Sequence, residues 1–144
     1  MIRFPKAATA AAGCLMLAIA LPAAGQQTAA ELATQECSAC HVLYPPSFLP
    51  PQSWQRITST LDQHFGEDAS LPEDQAAKIR DYLVAHASSR FPTMSVDQAP
   101  LRISELSWFK GEHRRLFERA RNDPAIGSIS NCGGCHRMDG YYEK

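Results

Sequence analysis

The sequence has almost no net charge, a single long apolar run and no run in which apolar and polar residues alternate. Its 14 basic and 15 acidic residues leave no excess of Lys and Arg of the kind that marks a nucleic-acid-binding domain. Without alternating runs there is no pattern for a half-buried strand, and apolar residues at helical spacing predict an all-α fold instead. A chain of 144 residues is long enough for one or two small domains.

The long apolar run stands at the N-terminus and is typical of an export signal. Arg3 and Lys6 precede an apolar stretch over 7–21, and small residues follow it, so we expect residues 1–25 to be a cleaved signal peptide. A membrane anchor is the alternative, but 15 apolar residues are short for a bilayer span of about 20. A lipoprotein signal at Cys14 is disfavoured because most of the run follows that residue. Removal of the signal leaves 119 residues with a net charge of −3 and no other long apolar run. We therefore expect a periplasmic protein without stable membrane insertion.

Apart from Cys14, cysteine occurs only in two copies of one motif. CSACH over 37–41 and CGGCH over 132–136 stand 95 residues apart. In c-type haem attachment two thiols add to the two vinyl groups of the porphyrin, and the adjacent histidine points at the iron. A disulfide pair or a zinc site of four thiolates would leave both histidines unexplained. The sequence therefore predicts two covalent haems c, with these residues: Cys37, Cys40, Cys132 and Cys135 for attachment, and His41 and His136 as proximal iron ligands.

Capping signals and apolar spacing predict the helices. The T-x-x-E sequence over 28–31 is a capping box that should start a helix leading into the first motif. The remaining predicted helices span 53–65, 70–87 after a second capping box over 70–73, 104–121, and a segment from Asp123-Pro124 into the second motif. Proline-rich loops are expected over 43–51 and 88–100.

Two haem irons need sixth ligands, and the chain has few candidates. His64, His86 and His113 each lie on an apolar helical stripe, and Met94 is their rival. His64 follows the histidine of the first motif by 23 residues, and His113 precedes that of the second motif by the same number. The equal spacing suggests that each pairs with its nearer motif. A crossed arrangement stays open, because helical spacing does not forbid it.

Aromatic and arginine side chains complete the predicted sites. Wall residues are expected among Trp54, Phe65, Trp108, Phe109 and Phe117. Arginines that could pair with haem propionates are Arg56, Arg102 and Arg114.

Three segments carry a specific resemblance. CSACHVLYPPSFLPPQSWQRITSTLDQHFGEDASL, PLRISELSWFKGEH and SISNCGGCH together resemble the dihaem cytochrome c family of bacterial periplasms, over about 36–140. The resemblance implies an N-terminal haem half over 26–90, similar to class I cytochromes c, and a distinct C-terminal haem half over 91–144. It also implies two bis-histidine haems held close together, with His64 and His113 as the distal ligands.

Two histidines on each iron would leave no open coordination position for a substrate. Such an iron changes charge without changing ligands, so the sequence predicts a low-potential periplasmic electron carrier. The resemblance suggests a membrane b-type cytochrome as donor and a small high-spin monohaem cytochrome as the soluble redox partner. The alternative is a haem enzyme, or a cytochrome that binds gas or peroxide, with one five-coordinate haem.

Overall fold

The structure, a computed structural model, describes residues 27–137 as a set of short helices joined by irregular loops. The α-helices are α1 (Ala29–Cys37), α2 (Pro51–Thr58), α3 (Glu73–Ala85), α4 (Ser107–His113) and α5 (Phe117–Asn122), and short 3₁₀ turns cover Pro46–Phe48, Leu61–Gln63, Val96–Gln98, Ile103–Glu105 and Cys132–Gly134. No strand occurs in this range, which confirms the predicted all-α class. None of these helices is both long and apolar enough to cross a membrane. The predicted signal peptide, and the tail from Met138, lie outside the described residues.

Helix α1 carries the first motif at its C-terminal end. The backbone N–H of Glu31 donates to Thr28 Oγ1 (3.2 Å), and the N–H of Thr28 donates to the Glu31 carboxylate (2.8 Å). This reciprocal pair is the predicted capping box, which satisfies two backbone donors that the first turn leaves free. Helix α1 ends at Cys37. The capping box therefore sets the start of the helix that ends at the first cysteine of the motif.

The apolar core lies mainly between α1, α2 and α3. Its largest side chains include Leu32 from α1, Trp54 from α2, and Ile79 and Leu83 from α3, each 7% exposed or less. Of the nine residues in the main buried cluster, seven precede residue 91 and two follow it. The part of the chain that follows α3 thus contributes little to the core and is attached to its surface.

Two hydrogen bonds from α2 contribute to that attachment. Ser53 Oγ donates to the carbonyl of Pro100, and Arg56 Nη1 donates to the carbonyl of Ala99 (2.9 Å). Arg56 is therefore engaged with backbone, although the sequence suggested it for a haem propionate. Both donors come from α2, so this helix positions the later part of the chain on the core.

The prediction of a single helix over 53–65 was wrong at both ends. Helix α2 starts earlier, with Pro51 in its first turn, where a missing N–H costs nothing. It stops at Thr58 because the hydroxyls of Thr58, Ser59 and Thr60 each donate to a carbonyl three or four residues back. Such bonds compete with continuation of the helix. As a result His64 lies outside the helix.

The second capping box was also wrong. Helix α3 starts at Glu73 after Pro72, and no side chain caps it. A start at Ser70 would place Leu71 in the helix directly before a proline, and the proline ring disfavours helical backbone at that position. Ser70 instead donates its N–H to Asp68 Oδ1 (3.0 Å) in a turn. The end of α3 agrees with the prediction to within two residues.

The C-terminal segment is less regular than its sequence pattern predicts. The expected helix over 104–121 is divided into α4 and α5, because the N–H of Leu116 bonds to the carbonyl of His113 (2.8 Å), three residues back. No helix starts at Asp123-Pro124, where a turn forms and the N–H of Gly127 bonds to the Asp123 carbonyl (2.9 Å). Gly127 has a φ of 70°, which favours glycine and ends the turn. The second motif therefore follows an irregular segment.

Candidate haem-binding sites

The first motif leaves its histidine ready to bind a metal through one nitrogen. Cys37 is half-buried at the end of α1, whereas Cys40 and His41 are exposed in the loop that follows. His41 donates its Nδ1–H to the carbonyl of Val42 (2.7 Å). Because that carbonyl only accepts, the proton stands on Nδ1 and the lone pair of Nε2 is available to a metal.

His64 is held by a tight turn opposite the first motif. The N–H of His64 donates to the carbonyl of Glu67 (2.8 Å), and the N–H of Glu67 donates back to the carbonyl of His64 (3.1 Å). Phe65 and Gly66, between them, have φ values of 55° and 105°, as in a two-residue type I′ turn. Left-handed backbone costs a residue such as Phe65 about 1 kcal/mol, so neighbouring contacts must hold the turn. One of these contacts comes from Arg102, whose guanidinium lies 4.3 Å from the centre of the Phe65 ring.

The rings of His41 and His64 face each other at a distance that fits a metal between them. Their centroids are 6.0 Å apart and their planes differ by 21°. Two imidazoles on one metal, with metal–nitrogen distances of about 2 Å, have centroids about 6 Å apart. Burial, and then the nearby His41, lower the pKa of His64. A lowered pKa favours the neutral imidazole that a metal requires.

The second motif forms a similar pair with a different relative orientation. The centroids of His113 and His136 are also 6.0 Å apart, but their planes differ by 69°. His113 ends α4 and donates its Nδ1–H to the carbonyl of Phe109 (3.0 Å), which again leaves Nε2 for a metal. The Phe109 ring stacks on His113, with centroids 4.0 Å apart and planes 12° apart. The structure thus brings each distal candidate to its nearer motif and not into the crossed arrangement.

A cavity that opens to solvent adjoins the second histidine pair. Trp108 and Phe109 of α4 line it on one side, and Phe48 from the earlier part of the chain closes another, with its ring centroid 5.4 Å from that of Trp108. A second space lies between the two motifs and is lined by Cys40, His41, Cys132 and their neighbours.

The cysteines fit thioether attachment better than the other chemistries that the motif allows. Cys37, Cys40, Cys132 and Cys135 form no disulfide. Within residues 27–137 no three side chains of the metal-binding types gather into one site, so the four thiols do not make a zinc centre. Burial raises the pKa of the Cys37 and Cys132 thiols.

The other candidates occupy different places. His86 is exposed at the C-terminal end of α3, where its Nδ1–H donates to the carbonyl of Tyr82 (2.8 Å). Met94 is half-buried in the loop after α3 and lines neither space beside the motifs. Trp54 is a core residue whose Nε1–H donates to the carbonyl of Pro46 (2.8 Å).

Sequence reasoning missed several residues at the second site. Arg119, rather than Arg114, is the arginine that lines the cavity beside the second histidine pair. Asn131 also lines it, and its Nδ2 donates to the carbonyl of Ile126 (2.9 Å). Tyr44 lines both spaces. The one available signal for Tyr44 was its position three residues after His41.

Comparison with known proteins finds one matching family and several similar folds. The sequence profile of the dihaem cytochrome c family matches residues 33–141. The fold is similar to the crystal structure of DHC purified from Rhodobacter sphaeroides, with 46% identity over 73% of this chain and 88% of that chain, and a TM-score of 0.59. It is also similar to the dihaem cytochrome c of Shewanella baltica OS155, with 35% identity over 76% of this chain and 82% of that chain, and a TM-score of 0.66. No protein with curated annotation matches the chain.

Proposed function

The chain belongs to the dihaem cytochrome c family and carries two covalently attached c-type haems, and from this premise we propose that it is a periplasmic low-potential electron carrier. A haem iron held between two histidines supplies reversible one-electron chemistry. The observation that carries the proposal is the pair of facing imidazoles at each motif, both with centroids 6.0 Å apart. Cys37 and Cys40 would hold the first haem, and Cys132 and Cys135 the second.

Four histidine side chains would supply two ligands to each iron and leave no coordination position open for a substrate. His41 and His64 would bind the first iron through Nε2, and His113 and His136 the second. The hydrogen bonds from Nδ1 of His41 and His113 to backbone carbonyls fix the orientation of these rings and increase their basicity. Basic imidazole ligands stabilise ferric iron, which favours a potential below that of a His/Met haem.

We further propose the two redox partners. A membrane b-type cytochrome would donate electrons and a small high-spin monohaem cytochrome would accept them, as the family resemblance suggests. The apolar segment over 7–21 supports export to the periplasm, where covalent haem attachment takes place. Stopped-flow mixing of the reduced protein with a purified monohaem cytochrome of that type should show oxidation of both haems in the reaction.

Visible and EPR spectra of the purified protein, with and without carbon monoxide, test the proposal. We expect only low-spin ferric haem, no carbon monoxide binding after reduction, and two potentials below that of a His/Met cytochrome c measured in the same cell. A high-spin signal from one haem, or carbon monoxide binding at one haem, would instead support a haem enzyme or a gas-binding cytochrome.

A further inference from the structure

Tyr44 lies between the two haem motifs and contacts both. Its ring stacks on the ring of His41, with centroids 5.3 Å apart and planes 19° apart. Its hydroxyl donates to the carbonyl of Ser130, 86 residues away in the sequence, at 3.1 Å. Tyr44 therefore joins the proximal ligand of the first haem to the segment that leads into the second motif.

The position of Tyr44 is fixed from both directions along the chain. Leu43, before it, is 4% exposed in the core, and Pro45, after it, restricts Tyr44 to extended backbone. Tyr44 itself is half-buried and packs against the core cluster. A side chain anchored in this way can hold a second segment of the chain at a set distance.

The Ser130 carbonyl is close to the second attachment point. It accepts the Tyr44 hydroxyl and also the backbone N–H of Cys132 (3.1 Å). Only Asn131 separates Ser130 from Cys132 in the chain. A short route of stacked and hydrogen-bonded groups thus runs from His41 through Tyr44 to the cysteine that attaches the second haem.

We propose that Tyr44 is a positioning residue for electron transfer between the two haems, an inference that rests on the proposed electron-carrier function. In this transfer one electron would leave the ferrous iron held by His41 and reach the ferric iron held by His136. Tyr44 would gain and lose neither an electron nor a proton. Its ring and hydroxyl would hold the two haem-binding motifs in a fixed relation through His41 and Ser130.

Two substitutions separate the contributions of the ring and the hydroxyl. Tyr44→Phe keeps the stacked ring and removes the hydrogen bond to Ser130, whereas Tyr44→Leu removes both. The matched control is Tyr82→Phe, because Tyr82 is also half-buried but contacts His86 on α3 rather than either motif. All three variants are prepared with both haems attached, at a ratio of two haems per chain.

The measurement is the rate of electron exchange between the haems in the half-reduced protein, from the linewidths of the haem methyl resonances in NMR spectra. We expect the rate to fall about two- to fivefold in Tyr44→Phe, on the scale of one lost neutral hydrogen bond. In Tyr44→Leu the exchange rate should fall about tenfold or more. A loss of this size is expected when the two motifs, and with them the two haems, shift by less than about 1 Å. Tyr82→Phe should exchange at the wild-type rate, and all variants should keep low-spin spectra.

Wild-type exchange rates in both Tyr44 variants would overturn the proposal and leave Tyr44 as a packing residue. A high-spin component in Tyr44→Phe would also overturn it, because Tyr44 would then act by holding His41 on its iron. If Tyr44→Leu does not fold, Tyr44→Phe still decides the question, because it keeps the volume of the ring. High-spin haem in the wild-type protein would instead contradict the proposed electron-carrier function, and this result does not depend on the Tyr44 variants.

Discussion

The two haem sites have the same motif and the same distance between histidine rings, yet different protein surroundings. The first motif ends a capped helix, and its facing histidine sits in a type I′ turn with the ring planes 21° apart. The second motif forms a 3₁₀ turn after an irregular segment, and its facing histidine ends α4 with the ring planes 69° apart. The spacing of the histidine rings is the same at both motifs, whereas the secondary structure that presents the rings differs.

The largest difference between the sites should appear when one haem is removed. Two double variants each remove the attachment cysteines of one motif. The first variant combines Cys132→Ala with Cys135→Ala, and the reciprocal variant combines Cys37→Ala with Cys40→Ala. Each should lower the haem content from two to one per chain. Helices α4 and α5 have 7 and 6 residues, below the roughly 12–15 that an isolated helix needs. We therefore expect amides over 107–137 to lose at least about tenfold in hydrogen-exchange protection in the first variant, while α1–α3 keep theirs.

The reciprocal variant is the control for this comparison. Loss of the first haem should leave α1–α3 folded, because these helices pack mainly on one another. Equal loss of protection over both parts of the chain in either variant would show that the core does not fold independently of the haems.

Removal of the distal histidines should open one iron at a time. His64→Ala and His113→Ala should each convert one haem to a high-spin state that binds carbon monoxide when reduced. Each should raise one potential by on the order of 100 mV, within the range of about 0.8 V over which axial ligands tune haem. Redox titration followed by visible spectroscopy measures both effects.

The matched control for these two variants is His86→Ala. Its imidazole bonds only a helix-end carbonyl in the contacts described, so its loss should leave both haems low-spin and cost about 1 kcal/mol or less of stability. If this variant frees a haem site and His64→Ala or His113→Ala does not, the ligand assignment is wrong.

The different ring orientations should give the two ferric haems different EPR signals. Nearly parallel imidazole planes split the two π-type d orbitals of the iron, whereas nearly perpendicular planes leave them close in energy. We expect the second site, at 69°, to have the larger maximum g value. That signal should disappear in His113→Ala and remain in His64→Ala. Two signals with the same g values would show that the ring planes are equally oriented in the haem-bound protein.

Two glycines, one beside each site, should respond in opposite directions to the same substitution. Gly66 has a φ of 105°, so Gly66→Ala should destabilise the protein by about 1 kcal/mol, although a Cβ would meet no atom within 4 Å. Gly111 stands inside α4 with equally free space, so Gly111→Ala should stabilise it by about 0.5–1 kcal/mol. Thermal unfolding measures both, with shifts of roughly 4 °C expected. A stabilising Gly66→Ala would contradict the type I′ turn.

The features that could be predicted from the sequence depend on local chemistry. The two motifs, the all-α class and the capping box at Thr28 each follow from residues a few positions apart. The end of α2 could not be placed from apolar spacing. Three consecutive hydroxyl side chains donate hydrogen bonds to backbone carbonyls in its last turn, and apolar spacing does not show this. The break after His113 and the missing helix at Asp123-Pro124 likewise arise where the chain bends around the second site.

The same limit applies to the sites. His64 and His113 could be proposed because their spacing from the motifs is equal and their sequence contexts are recognisable. Tyr44 and Arg119 could not, because only folding brings them to the second motif, 86 residues away in the case of the Tyr44 hydrogen bond. Pro72 could have corrected the start of α3, since the restriction that it places on Leu71 is visible in the sequence.

The two histidine pairs occur in opposite order along the chain, and this order has a consequence for synthesis. When the chain emerges from its N-terminal end, the first motif comes before its partner histidine, because His64 follows His41 by 23 residues. At the second motif the order is reversed, because His113 precedes His136 by 23 residues. The two segments are equally long, so closing either loop costs the same chain entropy. The first haem would therefore meet a motif whose distal ligand has yet to emerge, whereas the second would meet both of its histidines at once. Until His64 emerged, the first iron would have only His41 as a histidine ligand, whereas the second would have both of its histidines at hand.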